Sequence, residues 1–366
     1  MKRLGFGCMR LPLTDPNESG SVDYEQTCKL FDYFLEKGYT YFDTAYVYHH
    51  SQGEKAVREC LVKRYPRDSF TVTTKLFLMN LKTIEDAEKQ FNEQLENLGV
   101  DYIDYYWLHA ISKDRMEIIN NLNLFDFIAN KKAEGKIKHI GFSYHDNAEL
   151  LDKILSDHPE VEFVQLQLNY LDWNAPSVQS AKCYETCVKH GKPVIVMEPV
   201  KGGKLASVPA EAEKNFKDYN PDASVASWAL KFVANLDNVY MILSGMSNLE
   251  QVIDNCNTFD NISKLTEKEE EIIKENTLII QKTNRIPCTA CRYCCAGCPM
   301  NIPIPEFFEM ANVEGTKKEK YDKLVSAGYG KASDCIGCGQ CEDICPQHLP
   351  IREYLETIVV EEFEKW

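Results

Sequence analysis

Over residues 1 to 260, short runs rich in β-branched and aromatic side chains alternate with longer stretches whose apolar positions recur every three to four residues. The first pattern suits buried strands and the second suits amphipathic helices. Eight strands are predicted: RLGFG (3–7), YTYFDT (39–44), FTVTTK (70–75), YIDYYWLH (102–109), IKHIGFS (137–143), FVQLQL (163–168), PVIVME (193–198) and VYMILSG (239–245). Helix starts are marked by Asp23 three before Gln26, Thr83 three before Asp86 and Ser247 three before Glu250. A short polar side chain at such a place accepts from an unpaired amide of the first turn. Eight strands, each followed by a helix, over about 250 residues predict an α/β fold of the (β/α)8 TIM barrel type. A doubly wound sheet is the alternative, but its first turn would ordinarily read G-x-G-x-x-G. Here that turn reads GFGCMR, without the third glycine.

The pattern changes after residue 261. Residues 262–284 read as a linking helix, with Thr266 and Glu269 as a capping box before an acidic run that solvates its outer face. Beyond it, residues 303–330 carry two helical patterns ended by glycine, the second containing the basic run KKEK (317–320), which reads as a solvated helix face. The last segment, IREYLETIVVEEFEKW, predicts a terminal amphipathic helix that docks on the barrel or on a partner subunit. The expected division is 1–261 for the barrel, 262–284 for the link and 285–366 for a smaller domain.

That smaller domain is defined by its cysteines. Cys288, Cys291, Cys294 and Cys298 precede Pro299, and Cys335, Cys338, Cys341 and Cys345 precede Pro346, so the spacing C-x2-C-x2-C-x3-C-P occurs twice. In two-cluster ferredoxins three thiolates of such a run hold one cubane and the fourth ligates the other. The spacing therefore predicts two 4Fe-4S clusters in an α+β ferredoxin-like domain with a helical insertion. One would take Cys288, Cys291, Cys294 and Cys345, the other Cys335, Cys338, Cys341 and Cys298. Zinc knuckles are the alternative, although tetrahedral zinc does not ask for the trailing proline. Cys295, between two of these positions, reads as a bystander, a substitute ligand or an exposed thiol, and Cys183 and Cys187 as core-facing residues of one helix face.

Composition narrows the setting. The 366 residues are 44% hydrophobic and carry 41 basic against 56 acidic side chains, a net charge of −15. This balance, without a basic stripe, speaks against nucleic acid or an anionic membrane as partner. No run approaches the roughly 18 apolar residues of a membrane span, and the start, MKRLGFGCMRLPL, has no apolar leader segment. Thiolates that must stay reduced point to the cytoplasm.

In a barrel of this type chemistry collects at the C-terminal ends of the strands. Asp43, Lys75 and His109 end the second, third and fourth strands, and Tyr48 follows the second. Each alone has an ordinary structural reading, but together they form an acid–base group suited to carbonyl chemistry. A phenol gives a proton to a forming alkoxide, an ammonium held by a carboxylate favours the phenolate, and an imidazole orients the carbonyl.

At these residues the chain resembles the aldo-keto reductases: FDTAYVY, TTK and WLHA carry that family's Asp43, Tyr48, Lys75 and His109. The cysteine-rich end, with IPCTACRYC and CIGCGQCEDICPQHLPI, resembles the subfamily of oxidoreductases whose reductase barrel carries a C-terminal two-cluster ferredoxin module. The resemblance implies that Tyr48 donates the proton and that a nicotinamide dinucleotide, NADH or NADPH, lies across the mouth. It places Ser143 and Gln165 at the nicotinamide amide, with Tyr144 where an asparagine is usual, and Met197 where an aromatic ring stacks. Ser244, Gly245, Ser247, Asn248 and Asn255 fall in its phosphate-gripping stretch, which here lacks the lysine and arginine that often hold a 2′-phosphate.

Hydride transfer moves two electrons and each cluster moves one, so a flavin, which handles both, stays open as a further cofactor. The expected function is an iron–sulfur oxidoreductase acting on a small carbonyl or alcohol-type substrate, with ferredoxin or a similar carrier as electron partner. The alternative is a ferredoxin-linked electron-transfer protein or disulfide reductase whose barrel no longer uses nicotinamide. Tyr170 and Trp173 are expected on the pocket wall, and the oligomeric state is left open.

Overall fold

In a computed structural model of the chain, which describes residues 2–15, 18–312 and 317–365, eight parallel strands pair in sequence order and the last pairs with the first, closing a barrel. They are β1 (Leu4–Gly7), β2 (Tyr41–Asp43), β3 (Thr71–Leu76), β4 (Ile103–Ile111), β5 (Ile137–Tyr144), β6 (Phe163–Gln167), β7 (Val194–Met197) and β8 (Val239–Gly245). Each falls on a run that the sequence pattern marks.

Side chains along a barrel strand alternate between the interior and the surrounding helices. Tyr41, Tyr105, Trp107, Phe163, Ile195, Met241 and Leu243 form the inner core. Phe6 and Phe42 face outward and pack on Phe31 and Phe34 of the helix Tyr24–Glu36, with Phe6 and Phe31 ring centroids 5.0 Å apart. Stepping by two from the inner set leads from Tyr41 to Asp43, from Trp107 to His109, from Phe163 to Gln165 and from Ile195 to Met197. Lys75 shares the parity of Thr73, whose hydroxyl donates to Tyr41 Oη at 2.8 Å. The period of two thus aims these strand-end residues into the mouth.

Helix starts follow the predicted signals at two of three places. Asp23 accepts from Gln26 N at 2.9 Å, and Thr83 and Asp86 form a reciprocal capping box. At the third, the cap is Asn248, which accepts from Gln251 N at 2.9 Å, one residue later than expected. Ser247 is unavailable for capping because its hydroxyl donates to Arg10 O at 2.7 Å.

The chain divides into two units, residues 1–200 with 226–267, and residues 201–225 with 268–366. The second unit thus takes in the segment after β7 as well as the linking helix, observed as Glu267–Thr283. Hydrogen bonds hold that segment there: Lys204 Nζ donates to Asn284 Oδ1 at 2.7 Å, and Asn215 Nδ2 to Asn276 Oδ1 at 3.0 Å. The helical insertion is present as Ile304–Asn312 and Lys317–Ser326, the latter followed by Gly328 at positive φ; Gly315, expected to end the former, lies outside the described residues.

Where an α+β domain was expected, the described residues after 267 carry helices and turns and no strand. Backbone groups flanking the cysteines bond locally, Cys288 N to Ile286 O at 2.8 Å and His348 N to Cys345 O at 3.1 Å, leaving no extended pair to build a ladder. The terminal helix, 351–363 with a π-helical middle at Leu355–Val360, turns its apolar face into its own unit. Ile351, Leu355, Val359 and Phe363 are buried in the second unit's own core with Phe307, Phe308 and Tyr321. Trp366, at the end of that predicted helix, lies outside the described residues. No helix among the described residues is long and apolar enough to cross a membrane.

Candidate functional site

At the barrel mouth the Lys75 ammonium, 1% exposed, donates to Asp43 Oδ1 at 2.5 Å and to Thr44 O at 2.7 Å. On its other side it lies 3.4 Å from the Tyr48 hydroxyl and 4.9 Å from the centre of that ring. Gln165 Nε2 donates to the second oxygen of Asp43 at 3.2 Å. Burial pushes the Asp43 carboxyl above its usual range, and Lys75 and Gln165 pull it part of the way back. His109 stands edge-on to Tyr48 with ring centroids 6.2 Å apart. Burial, reinforced by the charges of Lys75, Arg115 and His145, holds its pKa well below the ordinary histidine value, so the imidazole is neutral at neutral pH. Its Nδ1 is buried with no hydrogen-bond partner among the described residues.

A layer the sequence reading missed fixes these groups. Glu54, buried behind β3, accepts from Thr74 Oγ1 and Gln94 Nε2, both at 2.7 Å, and from Asn97 Nδ2 at 3.1 Å. Gln94 also donates to Lys75 O at 3.0 Å and accepts from Tyr106 Oη at 2.6 Å. The network therefore pins the strand end that carries Lys75. Ala110, directly after His109, has φ 57°; its N–H donates to Ser143 Oγ at 2.6 Å and its carbonyl accepts from Arg115. Beyond Tyr48, His49, His50 and Ser51 all lie in the left-handed region, and the His49 ring ties this turn to Leu11 N at 3.3 Å and Ser19 O at 3.1 Å. The one sequence signal for Glu54 was a carboxylate in an otherwise buried stretch, visible only once Ala56 and Val57 are known to face the core.

The residues expected around a dinucleotide separate into two groups. Ser143, Gln165 and Met197 occupy inward-facing positions of β5, β6 and β7. Ser244 has the opposite parity to Leu243, and its hydroxyl accepts from Asn255 Nδ2 at 2.7 Å in a buried pair. Gly245, Ser247 and Asn248 surround the turn out of β8. Beside them lies a cation the motif reading did not find: a Cβ on Gly245 would sit 3.3 Å from Arg10 Cδ, and the Arg10 guanidinium is 4.0 Å from Glu198 at the end of β7. Tyr170 and Trp173, expected on the pocket wall, pack edge-on against Phe232. Cys183 and Cys187 are buried in the core, and burial raises both thiol pKa values.

In the second unit Cys288, Cys291, Cys294 and Cys345 line one cavity, of about 320 Å³ with open solvent included. Cys298, Cys335, Cys338 and Cys341 line another, of about 350 Å³ on the same measure. Among the described residues no three His, Cys, Asp or Glu side chains gather as ligands of a single ion; the eight thiols ring two voids. Cys295 lines neither. In the KKEK run, Lys318 pairs with Asp322 at 3.0 Å and Lys320 lies 3.8 Å from Glu309, so both cations face carboxylates of their own unit.

A buried ammonium shared between a carboxylate and a phenol at a barrel mouth belongs to the barrel oxidoreductases that pair proton transfer with reduction. Comparison with known proteins sharpens this. The model of the Aldo/keto reductase family matches residues 3–277 and that of a 4Fe-4S dicluster domain matches 287–349. The chain belongs to the aldo/keto reductase family, as an oxidoreductase with a 4Fe-4S domain after its barrel. It is 26% identical over 285 residues to the 9,11-endoperoxide prostaglandin H2 reductase of Trypanosoma cruzi, covering 75% of this chain and 87% of that one. Over 228 residues it is 28% identical to an aldo-keto reductase of Mycolicibacterium vanbaalenii, covering 62% and 75%. Among solved structures it is similar to the holo form of an aldo-keto reductase from Bacillus halodurans, with a TM-score of 0.59 and 25% identity over 75% of this chain and 91% of that one. It shares the fold of an aldo/keto reductase from Klebsiella pneumoniae in complex with NADP and acetate, with a TM-score of 0.59 at 18% identity over 75% and 90%.

Proposed function

We propose that the barrel mouth interconverts a small carbonyl compound and its alcohol, and that the second unit holds two 4Fe-4S clusters linking this reaction to a one-electron carrier such as a ferredoxin. The observation that carries the catalytic part is the Lys75 ammonium between the Asp43 carboxylate and the Tyr48 hydroxyl. As Tyr48 gives its proton to the substrate oxygen, the adjacent positive charge stabilises the phenolate left behind. Asp43 and Thr44 O keep that ammonium in place. His109, held neutral, donates a hydrogen bond to the same oxygen and orients it.

A nicotinamide dinucleotide, when bound, supplies the hydride. Ser143, Gln165 and Met197 would hold its ring, and Gly245, Ser247 and Asn248 its phosphates, with the Ser244–Asn255 pair bracing the end of β8 from behind. Arg10 supplies the cation that the β8 turn lacks, so NADPH is served as well as NADH. Arg10→Ala is expected to raise KM for the dinucleotide with kcat little changed, and equal kinetics would remove Arg10 from that site.

The donor sets suit clusters: each cavity is ringed by four thiols, three from one run and the fourth from the other. We assign Cys288, Cys291, Cys294 and Cys345 to one cluster and Cys335, Cys338, Cys341 and Cys298 to the other. Bound there, they supply one-electron transfer.

The test is Tyr48→Phe in protein whose iron content matches the parent. Loss of a positioned acid lowers kcat by about 10²- to 10⁴-fold. Unchanged turnover would take catalysis away from this group and leave the barrel as scaffold for ferredoxin-linked electron transfer or disulfide reduction.

A further inference from the structure

The segment after β7 reads VKGGKL, and three successive residues, Lys201, Gly202 and Gly203, take φ of 46°, 65° and 96°. Glycine adopts these values freely, whereas a lysine there is strained and must be held by its surroundings. The turn is closed by Lys204 N donating to Lys201 O at 3.1 Å, which sets the two lysines at its two ends.

Both lie behind the wall of the cavity ringed by Cys288, Cys291, Cys294 and Cys345. The Lys201 side chain is 1% exposed, and its ammonium lies 3.5 Å from Oε1 of Gln347, itself 5% exposed and part of that cavity's wall. Lys204 Nζ donates to Asn284 Oδ1 at 2.7 Å and to Ile286 O at 3.1 Å, two residues before Cys288. The cation on this wall, Arg292, is paired with Glu306. The second cavity differs: its cation, Arg352, is engaged twice by Glu342, and its wall includes the exposed Cys338 and Ile336.

Four thiolates make a bound cubane anionic, and each added electron deepens that charge. Fixed positive charge nearby therefore favours the reduced state, most strongly where water is excluded. We propose that Lys201 and Lys204 are potential-setting residues of the Cys288–Cys291–Cys294–Cys345 site, raising the reduction potential of the cluster there and leaving the other site untouched. This rests on the cluster assignment proposed above. The step is the uptake of one electron by that cluster from an external one-electron donor, with no bond made or broken.

The experiment is an anaerobic redox titration with dithionite, followed by EPR, on the full chain and on Lys201→Gln, Lys204→Gln and the double variant, each matched for iron and sulfide. In the double variant one of two reduction waves is expected to shift so that, at fixed potential, its reduced-to-oxidised ratio falls about tenfold, 59 mV for a one-electron couple. The wave that moves should be the one that vanishes in Cys345→Ala, and Lys204→Arg should restore the part owed to that residue. Should Lys201→Gln not fold, Lys204→Gln alone still has to lower the same wave. Unmoved waves, or two waves that shift alike, overturn the inference with the clusters intact. A parent protein without iron and sulfide overturns it by removing the assignment beneath it, and composition alone tells these failures apart.

Discussion

Lys75 and Asp43 form an ion pair 1% and 4% exposed, a costly arrangement that well-packed apolar residues often replace without loss of stability. Its presence at a strand end, aimed at a tyrosine, therefore points to chemistry more than to folding. Lys75→Met should destabilise the barrel by about 3–5 kcal/mol because it strands a buried carboxylate, whereas Asp43→Leu with Lys75→Met should recover most of that loss. Chemical denaturation of both variants checks this; equal losses would mean that the stranded carboxylate is not the source of the cost. His109 gives a pH signature. Its folded pKa is depressed, so between that value and about 6.5 the unfolded chain binds a proton that the folded chain does not. Stability should fall as pH drops below about 6.5 and be independent of this residue above it. His109→Gln should flatten that slope in thermal unfolding between about pH 5.5 and 7.

At the scale of elements, alternation decides which strand-end residues reach the mouth. The strands and their inward positions were legible because a period of two is printed in the sequence, and a one-residue shift would turn Asp43, Lys75 and His109 outward. The same rule explains Ser244, whose hydroxyl meets Asn255 in a buried pair because it faces the helices. Caps were legible to within one residue, and Ser247 failed as a cap because Arg10, distant in sequence, claims its hydroxyl. Packing inside the barrel adds a constraint no periodicity shows. A Cβ on Gly141 would lie 2.3 Å from Phe163 O and 2.5 Å from the Trp107 ring. Gly141→Ala should therefore cost at least about 3 kcal/mol, the upper end of overpacking penalties, since one of the atoms met is backbone. A melting temperature within a degree of the parent would show that β5 and β6 can spread.

For the whole molecule, the assignment of thiols across the two runs yields a count. Cys288→Ala with Cys345→Ala removes two ligands of one proposed cluster, and about four iron atoms per chain should remain. Cys335→Ala with Cys345→Ala removes one ligand from each, and iron should fall below that level. The reverse order would mean that each run holds its own cluster.

The sequence by itself determined the barrel, the strand ends that carry Asp43, Lys75 and His109, and the two cysteine runs, because all three are written in local spacing: a period of two, a helical period, and fixed gaps between thiols. Tertiary structure decided what depends on residues far apart in the chain. It set Glu54 behind Lys75 and Arg10 beside the turn out of β8. It also gave the segment after β7 to the second unit, and sank the terminal helix into that unit's own core. Side chains from distant segments meet only when apolar faces close on one another, and a contact made in that way leaves no period in the sequence to read.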